Sequence, residues 1–131
     1  MAYRGAVHRW DLFGADLDPS VGSEQGGQQR PVIVVSNDGV NAHLDVVTVV
    51  SVTKLEGQKR KVYPFEVVLP AGTITTRHAS IVMPQQIRSI SRMRLLEKMG
   101  TLGDLELQTR IENRILEHLG IQFEAGELEE L

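Results

Sequence analysis

The stretch PVIVVSNDGVNAHLDVVTVVSV, residues 31–52, holds two runs rich in valine and isoleucine, at residues 31–36 and 46–52. Branching at Cβ favours strands, and apolar runs this short are typical of strands rather than helices. Both runs are nearly continuously apolar, which indicates strands covered on both faces, as in a small closed barrel. The sequence therefore predicts a mainly β fold built around these two strands.

Further elements are predicted on both sides of this centre. After residue 90 the spacing changes: Ser91 could cap a short helix that runs to residue 99, and Gly100 could end it. Residues 104–119 carry an apolar face at helical spacing, with Gly120 placed to terminate the helix. We expect a barrel packed by a C-terminal helix. The remaining strands, separated by turns that contain glycine or proline, are predicted at residues 6–13, 61–69, 80–83 and 85–90.

The length and composition indicate one folded domain. We place that domain at residues 1–123 of the 131, because this length suffices for one core. Residues 124–131 contain four glutamates and are expected to form a frayed acidic tail. The absence of cysteine excludes disulfides and a cysteine nucleophile. With no apolar run of membrane-spanning length and no apolar leader, we expect a cytoplasmic protein.

Charge is distributed unevenly along the chain. The net charge of −3 combines +3 over residues 1–98 with −6 over residues 99–131. A basic body can still attract a polyanion, because the local field steers association. A basic cluster could be a solvated loop or could guide a polyanion through its phosphates. It consists of Lys54, Lys59, Arg60 and Lys61.

The connection PSVGSEQGGQQRP, residues 19–31, is unusually long, polar and rich in glycine. Such loops in small domains are functional or disordered. The loop matches neither phosphate-binding glycine motif, GxxxxGK[ST] or GxGxxG. Arg30 stands where the loop enters a strand, so its guanidinium could grip a phosphate with two hydrogen bonds. On these residues alone, Arg30 could equally be a surface ion-pair residue, and Thr53 an ordinary strand-end threonine.

Several motifs together resemble the MazF/PemK toxin family. The opening RGAV at residues 4–7, followed by Asp11 and Leu12, is similar to the family's first strand. The segments DPSVGSEQGG, residues 18–27, and RPVIVVSND, residues 30–38, follow the family signature almost throughout. Asn41, the run that ends at Thr53, and QIRSI at residues 86–90 are similar to later family blocks. The resemblance covers residues 4–120.

This resemblance implies a fold and an activity. It implies an SH3-like β-barrel, a homodimer, and a sequence-specific endoribonuclease that needs neither metal nor other cofactor. Such toxins cut single-stranded mRNA, leave 2′,3′-cyclic phosphate and 5′-OH ends, arrest growth, and are neutralised by a MazE-like antitoxin. The resemblance places catalysis on Arg30 and Thr53. It places RNA contacts on Ser23, Glu24, Gln25, Gln85, Gln86, Arg88 and Ser89.

The proposed chemistry suits these residue types. RNA carries its own nucleophile, the 2′-OH, so positioning and charge stabilisation can supply much of the rate. Arg30 could stabilise the transition state and protonate the leaving oxygen, while Thr53 could hold the phosphate or orient the 2′-OH. The general base is not identified. Some family members use an aspartate and a histidine, but here residues 74–78 read ITTRH, without aspartate.

Other residues have weaker functional interpretations. We expect a structural or surface role for His8, and loop positions for His43 and His78 that form no metal site. Phe13 precedes the glycine-rich loop and could stack on a base. Two other functions remain open: a non-catalytic toxin that binds a protein, as the gyrase poison CcdB does, and a structural barrel that acts by dimerising. The sequence does not reveal which RNA motif is cut, and the acidic tail could occupy the groove.

Overall fold

The two valine-rich runs form neighbouring antiparallel strands in the middle of the sheet. The structure is a computed structural model that describes residues 1–55, 60–73 and 78–122. The first run forms β2 (Arg30–Val34) and the second forms β3 (Val46–Lys54). Val32, Ile33 and Val34 pair with Ser51, Val50 and Val49. The predicted centre of the fold is confirmed.

Six strands form one antiparallel sheet in the order β4-β5-β3-β2-β1-β6. The outer members are β1 (Asp11–Ala15), β4 (Val67–Leu69), β5 (Ser80–Ser91) and β6 (Leu95–Thr101). In the described part of the chain, β4 and β6 are edges that do not pair with each other. The expected mainly β fold is confirmed. The expected barrel is observed only in part, because the described sheet is not closed.

Both faces of the central strands are buried, as their continuous apolar sequence predicts. One core layer contains Ile33, Val50 and Val52, and helix α2 (Leu105–His118) covers it with Leu107 and Ile111. The opposite layer contains alternate residues of the same strands, with Phe13 and Leu95. Because adjacent strand residues point to opposite faces, a valine at nearly every position serves both layers.

The C-terminal helix α2 is confirmed. Asp104 is its N-cap, and its carboxylate accepts a hydrogen bond from the Leu107 backbone N–H at 3.1 Å. The helix ends before Gly120, whose φ of 72° suits glycine at the end of a helix. Within the described residues, no helix is both long and apolar enough to cross a membrane.

The predicted helix over residues 91–99 is wrong. Ser91 caps only one turn of 3-10 helix, Arg92–Arg94, and the chain then returns to the sheet as β6. Leu95 is fully buried opposite Ala15, so long-range pairing with β1 overrides the local helical signal. A short helix α1 (Asp38–His43), with Asn37 as N-cap, lies where the sequence indicated only a turn.

The predicted strand over residues 6–13 begins too early. The backbone turns at His8, whose N–H donates to Asp11 Oδ2 at 2.9 Å and whose carbonyl accepts from Asp11 N at 3.1 Å. Trp10 has a φ of 75° in this turn. The strand therefore starts only at Asp11, whose carboxylate is buried and also accepts from Thr101 Oγ1 at 2.8 Å.

The predicted strand over residues 61–69 is also too long. Only Val67–Leu69 pairs with β5, because a turn closed by Glu66 N donating to the Tyr63 carbonyl at 3.0 Å comes before it. The strands predicted at residues 80–83 and 85–90 are one strand, β5. The predicted acidic tail at residues 124–131 lies outside the described residues.

Candidate active site

A bulge in β5 shapes the site. Met83 lies opposite Ser51, and Arg88 lies opposite Val49. Four residues of β5, residues 84–87, therefore face the single residue Val50 of β3. Such bulges bend a strand and re-aim its side chains. Proline at position 84, which donates no backbone hydrogen bond, marks where the regular ladder is interrupted.

The glycine-rich loop is tied down at its base. Asp18 Oδ1 accepts from Gly27 N at 2.8 Å, and the Gly27 carbonyl accepts from Leu17 N at 2.8 Å. Arg94 donates to the Asp18 carbonyl at 2.7 Å. Gly27 has a φ of 122°, and a Cβ there would lie 2.6 Å from Arg30 Cγ. Glycine is therefore needed both for this backbone turn and for the space that Arg30 occupies.

The loop also docks on the β5 bulge through Gln86. The Gln86 side chain accepts from Gln25 N at 3.1 Å and donates to the Ser23 carbonyl at 3.1 Å. Within the loop, Glu24 Oε2 accepts from Val21 N at 3.1 Å. Three predicted site residues, Ser23, Gln25 and Gln86, are therefore in direct contact. Hydrogen bonds to the β5 bulge therefore hold this loop in place.

Arg30 is held by a neutral partner. With its amide oxygen turned toward Arg30, Gln25 accepts hydrogen bonds from Nε at 2.8 Å and from Nη2. Arg30 is half-buried at the first position of β2, and no carboxylate among the described residues forms an ion pair with it. Its guanidinium is thus oriented while its positive charge stays uncompensated, as binding of an anion requires.

Arg30 and Thr53 lie near the same end of two neighbouring antiparallel strands, β2 and β3. Extending the register of Val32 with Ser51 by two residues on each strand places Arg30 opposite Thr53. Directly opposed residues share one face of a sheet, with Cβ atoms about 5 Å apart. Thr53 is half-buried and lines a cavity of about 140 Å³ together with Pro31 and His78. The topology therefore brings the two predicted catalytic residues to the same end of the sheet.

The β5 bulge and the loop border a second, open pocket of about 330 Å³. Among the described residues, the Arg88 side chain makes no hydrogen bond or ion pair, and its Nη1 is buried without a partner. The Oε1 atom of Gln85 is also buried without a partner. Two residues that line the pocket therefore carry buried polar atoms whose hydrogen-bonding capacity is unmet, a feature that is often found at functional sites. It is lined by Glu24, Gln85, Gln86, Ile87 and Arg88.

Two predicted contact residues lie elsewhere. Ser89 is exposed on the far side of the bulge, where its Oγ is 3.0 Å from Thr48 Oγ1. Its role in RNA binding stays a prediction. Phe13 is completely buried and meets Tyr3 edge to face, with ring centroids 4.9 Å apart. The prediction that Phe13 stacks on a base is wrong, because β1 turns this side chain into the core.

Glu66 organises the region beside the pocket, and its role was not predicted from the sequence. Its buried carboxylate accepts from Arg60 at 2.9 and 3.0 Å, from Tyr63 N at 3.0 Å and from Gln85 Nε2 at 2.7 Å. Burial alone would raise the pKa of Glu66, but these hydrogen bonds outweigh it and hold the pKa below its ordinary value. Glu66 thereby fixes both the turn before β4 and the Gln85 side chain.

The other basic residues and the histidines are dispersed. Arg60 is neutralised by Glu66, while Lys54 and Lys61 are exposed and Lys59 lies outside the described residues. His8 is exposed, with Nδ1 3.9 Å from Asp38 Oδ1, and His43 Nδ1 is 2.8 Å from the Gly39 carbonyl. Within the described ranges, no three histidine, aspartate or glutamate side chains converge on a possible metal position.

The sequence is similar to a known protein family. Residues 8–119 match the family model described as PemK-like, MazF-like toxin of type II toxin-antitoxin system. The chain is 42% identical over 106 residues to the endoribonuclease MazF9 of Mycobacterium tuberculosis, covering 77% of this chain and 86% of the relative. It is 37% identical over 109 residues to the endoribonuclease EndoA of Bacillus subtilis, covering 83% and 90%.

Solved structures show the same fold. The crystal structure of MazF (Form-I) from Deinococcus radiodurans superposes with a TM-score of 0.76 at 26% identity, covering 90% of this chain and all of that one. An endoribonuclease in complex with its cognate antitoxin, from a mycobacterial species, superposes with a TM-score of 0.69 at 19% identity. That match covers 92% of this chain and all of the other.

Proposed function

This chain belongs to the PemK-like, MazF-like toxin family of type II toxin–antitoxin systems, and we propose that it is a sequence-specific endoribonuclease that cuts single-stranded mRNA without a metal ion. One observation carries this proposal. The Arg30 guanidinium is oriented by the neutral Gln25 amide, uncompensated by any described carboxylate, and in register with Thr53. A phosphodiester placed between these two side chains meets a fork of donors and a hydroxyl.

The reaction proposed is an internal transesterification. The 2′-oxygen forms a bond to phosphorus while the bond from phosphorus to the 5′-oxygen breaks, which leaves a 2′,3′-cyclic phosphate and a 5′-OH. The 2′-OH loses its proton to a base that the geometry does not single out, and the leaving oxygen gains one. Arg30 stabilises the charge that develops on the phosphorane, and Thr53 orients the phosphate or the 2′-OH.

RNA binding is proposed to run from this pair across the bulge. Arg88, without a partner of its own, supplies a second cation, and the Gln85 and Gln86 amides supply donors and acceptors for phosphates or base edges. Because Gln86 also holds Ser23 and Gln25, it links the RNA-binding pocket to the loop that orients Arg30. Substrate binding and the catalytic geometry thus share one set of contacts.

The proposed partners follow from the family. We assign this chain a homodimeric state and a MazE-like antitoxin whose acidic segment competes with RNA for the basic groove. The solved antitoxin complex of a structural relative supports the second assignment. The mRNA substrate makes the cytoplasm the proposed site of action. Nothing in the site or the comparisons favours the alternative of a CcdB-like, non-catalytic toxin.

The decisive experiment is to map cleavage of a long single-stranded RNA in EDTA. We expect cuts at one short recurring motif with 2′,3′-cyclic phosphate and 5′-OH ends. Replacing the nucleotide 5′ to a mapped cut by its 2′-deoxy form should abolish that cut alone. Cleavage that persists at the deoxy position, or 5′-phosphate ends, would refute the proposed mechanism, and no cleavage by the folded chain would refute the activity.

A further inference from the structure

Two aromatic rings are displayed on the surface in the turn before β4. Tyr63 and Phe65 are stacked nearly parallel, with ring centroids 5.0 Å apart and planes at 7°. Their side chains are 49% and 43% exposed. Of the aromatic residues within 1–55, 60–73 and 78–122, these two alone are exposed; the others are half-buried or buried. We refer to Tyr63 and Phe65 as the ring pair.

The core does not account for the ring pair. Val67 and Leu69 of β4 already supply the buried side chains of this edge, while each ring leaves close to half its surface in water. The turn is nevertheless held firmly, since the buried Glu66 carboxylate accepts from the Tyr63 N–H at 3.0 Å. The Arg60 guanidinium lies over the Tyr63 ring, 5.4 Å from its centroid. The rings are thus presented to solvent in a fixed orientation.

The ring pair adjoins the proposed RNA-binding pocket. Glu66, which holds the Tyr63 backbone, also accepts from Gln85 Nε2 at 2.7 Å, and Gln85 lines the pocket beside Arg88. The Glu66 carboxylate therefore connects the ring pair to the pocket. Lys61, two residues before Tyr63 in the sequence, and Lys54, at the end of β3, are both exposed cations.

We propose that Tyr63 and Phe65 form a stacking platform for an unpaired nucleobase of the RNA, beyond the nucleotides held at Arg30 and Thr53. This inference rests on the proposed function. A base extends the existing parallel stack, and the exposed Lys61, two residues before Tyr63, offers a positive charge to the phosphate of the same nucleotide. Stacking is indifferent to base identity, so the platform adds affinity and a requirement for single-stranded RNA rather than motif selection.

Binding to an uncleavable probe tests the platform. The probe is a fluorescein-labelled single-stranded 2′-O-methyl RNA, which offers no 2′-OH for attack, and the readout is fluorescence anisotropy. Phe65→Leu keeps the apolar bulk but removes the aromatic face, and should weaken binding about tenfold. Phe65→Trp should restore wild-type affinity. Met93→Ala, which alters an exposed apolar residue in the turn after β5, is the matched control and should bind as the wild type does.

Two further measurements identify the interaction as stacking. The Phe65→Leu loss should be confined to the single strand, because a duplex of the same sequence offers no free base face. The slope of log affinity against log salt should be unchanged, since no phosphate contact is removed. Equal losses for duplex and single strand, a changed slope, or unchanged affinity in Phe65→Leu would each overturn the platform. A change in sedimentation mass would assign this surface to a second copy of the chain instead.

Failure of the platform and failure of the proposed function are distinguishable. Cleavage of unmodified RNA is measured with the same protein preparations. Cleavage by the wild type, combined with unchanged probe binding in Phe65→Leu, overturns the platform alone. Probe binding that falls in Phe65→Leu and recovers in Phe65→Trp, without any cleavage by the wild type, retains the platform and overturns the endoribonuclease.

Discussion

Arg60 and Arg30 are oriented by different kinds of partner. Arg60 meets the buried Glu66 carboxylate with two hydrogen bonds of 2.9 and 3.0 Å, and that pair neutralises its charge. Arg30 meets the amide oxygen of Gln25, which fixes the guanidinium without neutralising it. The first arrangement stabilises a turn, and the second leaves a cation ready for an anion. The partner, rather than the arginine, distinguishes the structural site from the proposed catalytic one.

Replacing the guanidinium by an ammonium tests how much of the Arg30 contribution to the cleavage rate depends on the shape of the guanidinium rather than on its charge. Arg30→Lys keeps the charge but loses the planar fork that can grip a phosphate twice. We expect the single-turnover cleavage rate to fall about 100-fold, with an unchanged melting temperature. Arg110→Lys, on the exposed face of α2, is the control. A rate within a factor of two of wild type would mean that charge alone suffices.

Removing the charge of Glu66 tests the structural site. Glu66→Gln weakens the contacts to Arg60 and leaves that guanidinium partly unpaired, so the free energy of unfolding should fall by about 2 kcal/mol. Glu106→Gln, in the exposed pair with Arg110, should change it by less than about 0.5 kcal/mol. Urea titration at neutral pH measures both. Equal effects on the free energy of unfolding would show that the buried Glu66 carboxylate stabilises the fold no more than the exposed Glu106 carboxylate does.

The same carboxylate gives stability a predictable pH dependence. The pKa of Glu66 is below its ordinary value of 4.5 in the folded chain, so the unfolded chain takes up the proton first. Its contribution is fully present above about pH 4.5 and is lost as the pH falls through the lower folded value. The unfolding free energy of the wild type should therefore decline more steeply in this range than that of Glu66→Gln.

Giving Arg30 a carboxylate partner, as Arg60 has in Glu66, should turn the proposed catalytic site into a structural ion pair. Gln25→Glu places a carboxylate where the amide oxygen accepts from Nε at 2.8 Å. A neutralised Arg30 should bind phosphate poorly, so we expect cleavage to slow about tenfold while stability holds or rises. Gln28→Glu adds the same charge at an exposed position of the same loop. If both variants slow equally, general repulsion of RNA explains the effect.

The smallest effect is expected at Arg88, whose side chain has no partner among the described residues. Arg88→Ala should weaken binding of single-stranded RNA several-fold and lower the salt slope by about 0.7, the value for one lost phosphate contact. Arg110→Ala removes an equal charge from the exposed face of α2 and should leave the slope unchanged. An unchanged slope in Arg88→Ala would indicate that this side chain contacts bases or protein rather than phosphate.

The central fold was predictable because its signals are local. Continuous valine runs specify strands buried on both faces, and Asp104 with Gly120 brackets helix α2. The predictions of secondary structure were wrong where contacts with residues distant in the sequence determine the local structure. Leu95 becomes a strand residue only because β1 lies beside it, and Glu66 ends an apparent strand by binding Arg60 and Gln85.

The family motifs predicted which residues form the site, but they did not predict the geometry of the site. The resemblance named Arg30, Thr53 and the loop residues, while the register that opposes Arg30 and Thr53 follows only from the pairing of β2 with β3. Gln86 was named as an RNA contact, and its role in holding the loop depends on a bulge that only the assembled sheet reveals. Phe13 was misassigned because nothing local to it shows that β1 is buried on both faces.

The most direct test of the account is the single-turnover cleavage of single-stranded RNA in EDTA by the wild type and by Arg30→Ala, with thermal unfolding of both. We predict that Arg30→Ala unfolds at the wild-type temperature, because no described carboxylate depends on this guanidinium, and that its rate falls about 10² to 10³-fold. Cleavage by folded Arg30→Ala at the wild-type rate would contradict the assignment of catalysis to the uncompensated arginine.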